Sequence, residues 1–118
     1  MKILIVEDNE MNMKLFSDIL TYQKYDTDKA FNGQEAYDKI KDNEYDLVIL
    51  DIQLPIMDGF SVLNELKQEK IDIPKILIAS ACAMDSDKLK AKEFGVENYI
   101  TKPIDIKKFM STIKEILK

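Results

Sequence analysis

Leu47-Val48-Ile49-Leu50 is followed at once by Asp51, and that junction limits the fold more than any other segment of the chain. Four consecutive apolar residues have no polar face to offer water. Such a run is a strand covered on both sides, which in practice means a parallel sheet flanked by helices. Ile3-Leu4-Ile5-Val6, Ile76-Leu77-Ile78-Ala79 and the shorter Tyr99-Ile100 repeat the pattern. Tyr25 to Ala30 is more polar and reads as a sheet edge. Between these runs the spacing predicts helices over Met11 to Tyr22, Gly33 to Lys41, Phe60 to Glu69, Asp85 to Phe94 and from Ile106 to the end. Met11, Leu15, Phe16, Ile19 and Leu20 are the expected buried face of the first. Ile106, Phe109, Met110, Ile113, Ile116 and Leu117 are that of the last, with Asp105 as its cap. Gly95 stands where a helix stops.

Five strands alternating with five helices make an α/β doubly wound (βα)5 domain. The first and third strands are the most apolar and belong inside, which fits the flavodoxin-like order 2-1-3-4-5 with helices on both faces. The 118 residues suit one domain, 1–118, without an output domain, and 46% hydrophobic residues suffice for its core. The net charge is -5, with no Arg and no His. An acidic chain with scattered Lys is expected to bind no nucleic acid. The missing His excludes His-based triads and phosphohistidine carriage. The lone Cys82 excludes an internal disulfide and a Cys-based zinc site. Cys82 itself reads as a small buried thiol, two residues past Ser80. No leader and no membrane-length apolar stretch is seen, so the expectation is a cytoplasmic monomer without membrane contact.

In doubly wound sheets ligands bind beyond the carboxyl ends of the strands. Glu7 and Asp8 follow the first apolar run, Asp51 the third, Ser80 the fourth, and Thr101, Lys102 and Pro103 the fifth. One carboxylate after a strand is ordinarily a cap or a solvated group. Three of them with a hydroxyl and an ammonium are a different matter. Carboxylates ~4 Å apart repel by about 4 kcal/mol per pair at an effective dielectric near 20. Lys102 offsets part of this, and a hard divalent cation that takes oxygen ligands would offset the rest. Asn9 and Asp58 read as helix caps, Pro55 as a stiffener of its loop, and Gly59 as a backbone requirement.

These segments, in this order, resemble the CheY-like response-regulator receiver family over essentially the whole chain. The acidic pair Glu7-Asp8, the stretch from Asp51 through Pro55, Met57, Asp58 and Gly59, Ser80-Ala81, and Tyr99 to Pro103 carry the likeness. The resemblance implies a response regulator of two-component or phosphorelay signalling. In it, Asp51 is the phosphoacceptor. Asp8, Asp51 and the backbone carbonyl of Gln53 are ligands of Mg²⁺, with Mn²⁺ able to substitute, and Glu7 acts through water. Lys102 and Ser80 contact phosphoryl oxygens, and Ser80 and Tyr99 form the switch. It also implies a cis bond before Pro103. The implied donor is a histidine kinase or a histidine phosphotransfer protein. The implied target docks on the fourth helix, fifth strand and fifth helix. Such a domain is no enzyme beyond its own phosphorylation and dephosphorylation. Two other readings stay open: a phosphatase with an Asp nucleophile, weakened by Gln53 where a second Asp is wanted, and a non-phosphorylated interaction domain.

Overall fold

The computed structural model describes residues 1–81 and 85–118. They form β1 (Lys2–Val6), α1 (Glu10–Tyr22), β2 (Asp26–Ala30), α2 (Gly33–Asp42), β3 (Leu47–Leu50), α3 (Gly59–Gln68), β4 (Ile76–Ser80), α4 (Asp85–Glu93), β5 (Asn98–Thr101) and α5 (Ile106–Ile116). The strands make one sheet in the order β2-β1-β3-β4-β5, every neighbouring pair parallel. The expected order is therefore the observed one, with β3 in the middle and the polar β2 at an edge.

The alternation of side chains along each strand divides the core in two. Leu4, Val6, Val48, Leu50, Ile76 and Ile78 face α2 and α3, where they meet Ala36, Ile40, Phe60, Leu63 and Leu66. Ile3, Ile5, Leu47, Ile49, Leu77 and Ala79 face α1 and α5, against Met13, Phe16, Leu20, Phe109 and Ile113. Phe16 and Phe109 meet across that layer with ring centroids 5.2 Å apart. This two-sided burial is why the apolar runs of β1, β3 and β4 are unbroken.

The helix starts follow local chemistry. The side chains of Asn9, Asn32, Asp58 and Asp105 accept from the main-chain N–H groups of Asn12, Glu35, Ser61 and Lys108 respectively. α1 differs from expectation in its inward face. Met13, Phe16, Ser17 and Leu20 are buried, whereas Met11 is 82% exposed and Leu15 is 37% exposed. The buried set keeps the spacing of one helical face, and Ser17 is small enough to be tolerated within it. α4 has one buried residue, Ala91, and Leu89 on it is exposed.

At the β2 edge, Tyr45 donates its hydroxyl to Asp28 at 2.7 Å, and Lys2 lies 3.4 Å from the same carboxylate. The bond from Tyr45, ahead of the Lys2 charge, holds the Asp28 carboxyl below its ordinary value, and burial together with Asp28 pushes the phenol well up. The polar edge is thus tied down by side chains as well as by the ladder.

Candidate functional site

Parallel strands end on one side of the sheet, so whatever follows them is gathered there. Val6 pairs with Leu50, which sets Glu7 and Asp51 side by side. Ser80 pairs with Thr101, and the Lys102 N–H donates to the Ser80 carbonyl at 2.9 Å, which swings Lys102 across the end of the sheet. The Lys102–Pro103 bond is cis, as the resemblance implied.

Carboxylate oxygens of Glu7, Asp8 and Asp51 lie within 4.8 Å of one another. Glu7 is 1% and Asp51 5% exposed, while Asp8 faces solvent. Lys102 bridges the two buried acids: its ammonium donates to Asp51 Oδ2 at 2.9 Å and to Glu7 Oε1. Main-chain donors fill other positions. The Asn9 N–H reaches Glu7 Oε2 at 3.2 Å, and the Gln53 N–H reaches Asp51 Oδ1 at 3.0 Å. The loop carrying Gln53 is closed by the Gly59 N–H on the Ile52 carbonyl at 2.9 Å. A Cβ on Gly59 would come within 2.6 Å of the Asp51 carbonyl, so this close return needs glycine.

Burial pushes the Glu7 carboxyl above its ordinary value, with the bonds from Lys102 and Asn9 working against the rise. Burial alone would lower Lys102. The bonds to Glu7 and Asp51 overcome it and carry the ammonium above its ordinary value, so Lys102 is held charged. Three carboxyl groups gathered against one ammonium make a single oxygen-rich, acidic spot. That is the donor set and the charge a hard divalent cation such as Mg²⁺ requires.

Ser80 ends β4 and is 1% exposed. Tyr99 stands on β5 opposite Ile78, half-buried. Its hydroxyl is buried and has no hydrogen-bond partner among the described residues, and burial, with Asp87 adding to it, pushes the phenol up to about 12. The wet hydroxyl that an exposed strand tyrosine would show is not what is found. Cys82 lies outside the described residues. The structure thus brings Glu7, Asp8, Asp51 and Lys102 into one cluster. Two further residues drew no attention from the sequence. Gly33 lacks the Cβ that would lie 1.8 Å from the Met57 carbonyl, and Ile56 has a φ of 70°. An isolated Gly at a helix start and an Ile in a loop carry no sequence signal for either role.

Residues 3–114 match the response regulator receiver domain model. The chain is 43% identical to the polar-differentiation response regulator DivK of Brucella anthropi over 98% of its own length and 94% of that protein. The fold is similar to that of the chemotaxis protein CheY4 of Vibrio cholerae, with a TM-score of 0.89 and 25% identity over 98% of both chains. It is equally similar to a chain of the Borrelia burgdorferi complex of CheX and CheY with BeF3 and Mg²⁺, with a TM-score of 0.89 and 28% identity over 99% of this chain and 89% of that one.

Proposed function

Because the chain belongs to the response regulator receiver family, we propose that it accepts a phosphoryl group on Asp51 from a phosphohistidine of a partner protein and reads it out on the α4–β5–α5 face. The observation that carries this is the Lys102 ammonium held between the buried Glu7 and Asp51 carboxylates, beside the exposed Asp8. The donor is a histidine kinase or a histidine phosphotransfer protein in the cytoplasm. The similarity of the fold to a CheY chain from a complex with CheX supports a readout by protein contact. No helix among the described residues is long and apolar enough to cross a membrane.

An Asp51 carboxylate oxygen supplies the electron pair of the new P–O bond. The P–N bond breaks, its pair returns to the imidazole nitrogen, and the ring, protonated on its other nitrogen, leaves neutral. Gln53 N–H fixes one Asp51 oxygen and thereby the direction of the other. Lys102, already within hydrogen-bond reach of Asp51, follows the charge onto a phosphoryl oxygen as a mobile point charge. Asp8, Asp51 and the Gln53 carbonyl would hold Mg²⁺ or Mn²⁺, with Glu7 acting through water. Bound there, the ion neutralises the carboxylates and the phosphoryl oxygens. The chain's only catalysis is then of its own phosphorylation and dephosphorylation. A hydrolase reading gains nothing from the geometry, since Gln53 occupies the position where an acid–base carboxylate would be wanted. Acetyl phosphate with Mg²⁺ is expected to raise the intact mass by one phosphoryl group, and chelation by EDTA to prevent it. No uptake in either condition would sink the proposal.

Readout runs through Ser80 and Tyr99. Tyr99 is half-buried against the core on the strand beside the one that Ser80 ends, and an inward and an outward position of its ring are in balance there. A Ser80 hydroxyl drawn to the phosphoryl group biases that balance. Moving a two-state element from 1:99 to 99:1 takes about 5.5 kcal/mol, and one charge-assisted bond supplies roughly 1.5–3. Ser80→Ala is therefore expected to blunt, not abolish, the amide shifts that beryllofluoride with Mg²⁺ induces over residues 85–118. A full wild-type response in that variant would refute the coupling and leave Asp51 as acceptor.

A further inference from the structure

The loop between β3 and α3 holds one residue in a form that the chemistry of Asp51 does not require. The Met57 N–H donates to the Pro55 carbonyl at 2.7 Å, which closes a three-residue turn around Ile56. Its φ of 70° lies in the left-handed region. A turn of this hand is strained, and a β-branched residue is about the worst occupant, whereas Asn or Gly takes the same backbone with less strain. The turn cannot relax by sliding, because α2 packs on it so closely that a Cβ on Gly33 would meet the Met57 carbonyl. The side chain gains nothing inside the fold in exchange, since Ile56 is 81% exposed.

Its surroundings indicate what does use it. Ile56 lies five residues past Asp51, at the carboxyl end of β3. Met11, 82% exposed, lies in the first turn of α1, three residues past Asp8 at the carboxyl end of β1. β1 and β3 are neighbours, so the two exposed apolar side chains, one on the first turn of α1 and one on the loop after β3, belong to the segments that follow the strands carrying the carboxylate cluster. A protein that delivers phosphorus to Asp51 has to cover this rim. A donor the size of acetyl phosphate does not reach it.

We propose that Ile56 is a specificity-determining contact of the phosphodonor protein, an apolar anchor seated against an apolar patch beside the donor's phosphohistidine. This rests on Asp51 being the acceptor. Strain in the free protein is kept because the side chain that causes it is the one the donor recognises.

The test compares wild type, Ile56→Asn and Ile56→Val with two kinds of donor. One is acetyl phosphate with Mg²⁺. The other is the set of autophosphorylated histidine kinases and phosphotransfer domains of the source organism, taking the one that labels wild type fastest. Ile56→Asn is expected to label from acetyl phosphate like wild type, to melt no lower than wild type, and to accept from the protein donor about tenfold more slowly. Ile56→Val, which keeps the branch and the apolar surface, is expected to stay within about twofold of wild type with both donors. Wild-type transfer from the protein donor to Ile56→Asn would overturn the inference. So would equal losses with both donors, which would make Ile56 a part of the loop geometry alone. A wild type that no protein donor labels faster than acetyl phosphate does would overturn it too, with Asp51 still the acceptor. A wild type that acetyl phosphate fails to label would instead bring down the reading beneath it.

Discussion

Asp51→Asn is expected to take up no phosphoryl group at all under conditions that label the wild type fully. The carboxamide has nearly the carboxylate's shape, so the Gln53 N–H keeps an oxygen to bond and the end of β3 keeps its form. What it loses is the negative charge and the nucleophilic electron pair, and with them any route to a stable acyl phosphate. Lys102 retains Glu7 as a partner, so the substitution does not strand a buried ammonium. Glu7 and Asp8 are the nearby carboxylates to which a label could pass by mistake. Glu7 is shielded by burial and by Lys102, and Asp8 is exposed. Intact masses after acetyl phosphate and Mg²⁺, followed by peptide mapping, separate these sites. An adduct of wild-type size on the Asn variant would remove Asp51 from its role.

The second large effect concerns the metal. With Mg²⁺ at about a hundredfold above its dissociation constant, binding to the native state alone adds about 2.7 kcal/mol, on the order of 10 °C in Tm for a domain of this size. In Asp8→Ala that rise should shrink to a small remnant. Asp8 is the exposed member of the trio, so its removal disturbs no packing, and the metal-free protein should melt at the wild-type temperature or slightly above it as one repulsion disappears. Thermal melts with and without millimolar Mg²⁺ test this directly. Equal shifts in the two proteins would rule out the site.

The sheet and the acid cluster were legible for one physical reason. Burial on both faces forces unbroken apolar runs, and parallel strands force whatever follows those runs to one end, so Glu7, Asp51, Ser80 and Lys102 could be found by reading what comes next. Caps at Asn9, Asp58 and Asp105 were legible because they are set by bonds three residues apart. Where burial depends on how a helix is rolled against its neighbours, apolar identity misleads. Met11 and Leu15 point away from the core while Ser17 is inside it. The left-handed turn at Ile56 was beyond reach because it runs against local preference and packs closely on Gly33 of α2, far off in sequence. The buried Tyr99 hydroxyl was likewise invisible, since the period of β5 says which side a ring takes but not whether its tip finds a partner.

Among the described residues α4 buries only the small side chain of Ala91 and lays Lys90 over the Phe60 ring, where α1 has four buried residues and α3 five. Hydrogen exchange sorts a native protein into units that open at different free energies, and the least anchored opens first. α4 is that unit by construction. A helix so held can be displaced, or its end unwound, while both halves of the core stay intact. The sheet supplies a rigid frame for the acids, and the light seating of one helix leaves that helix easy to displace.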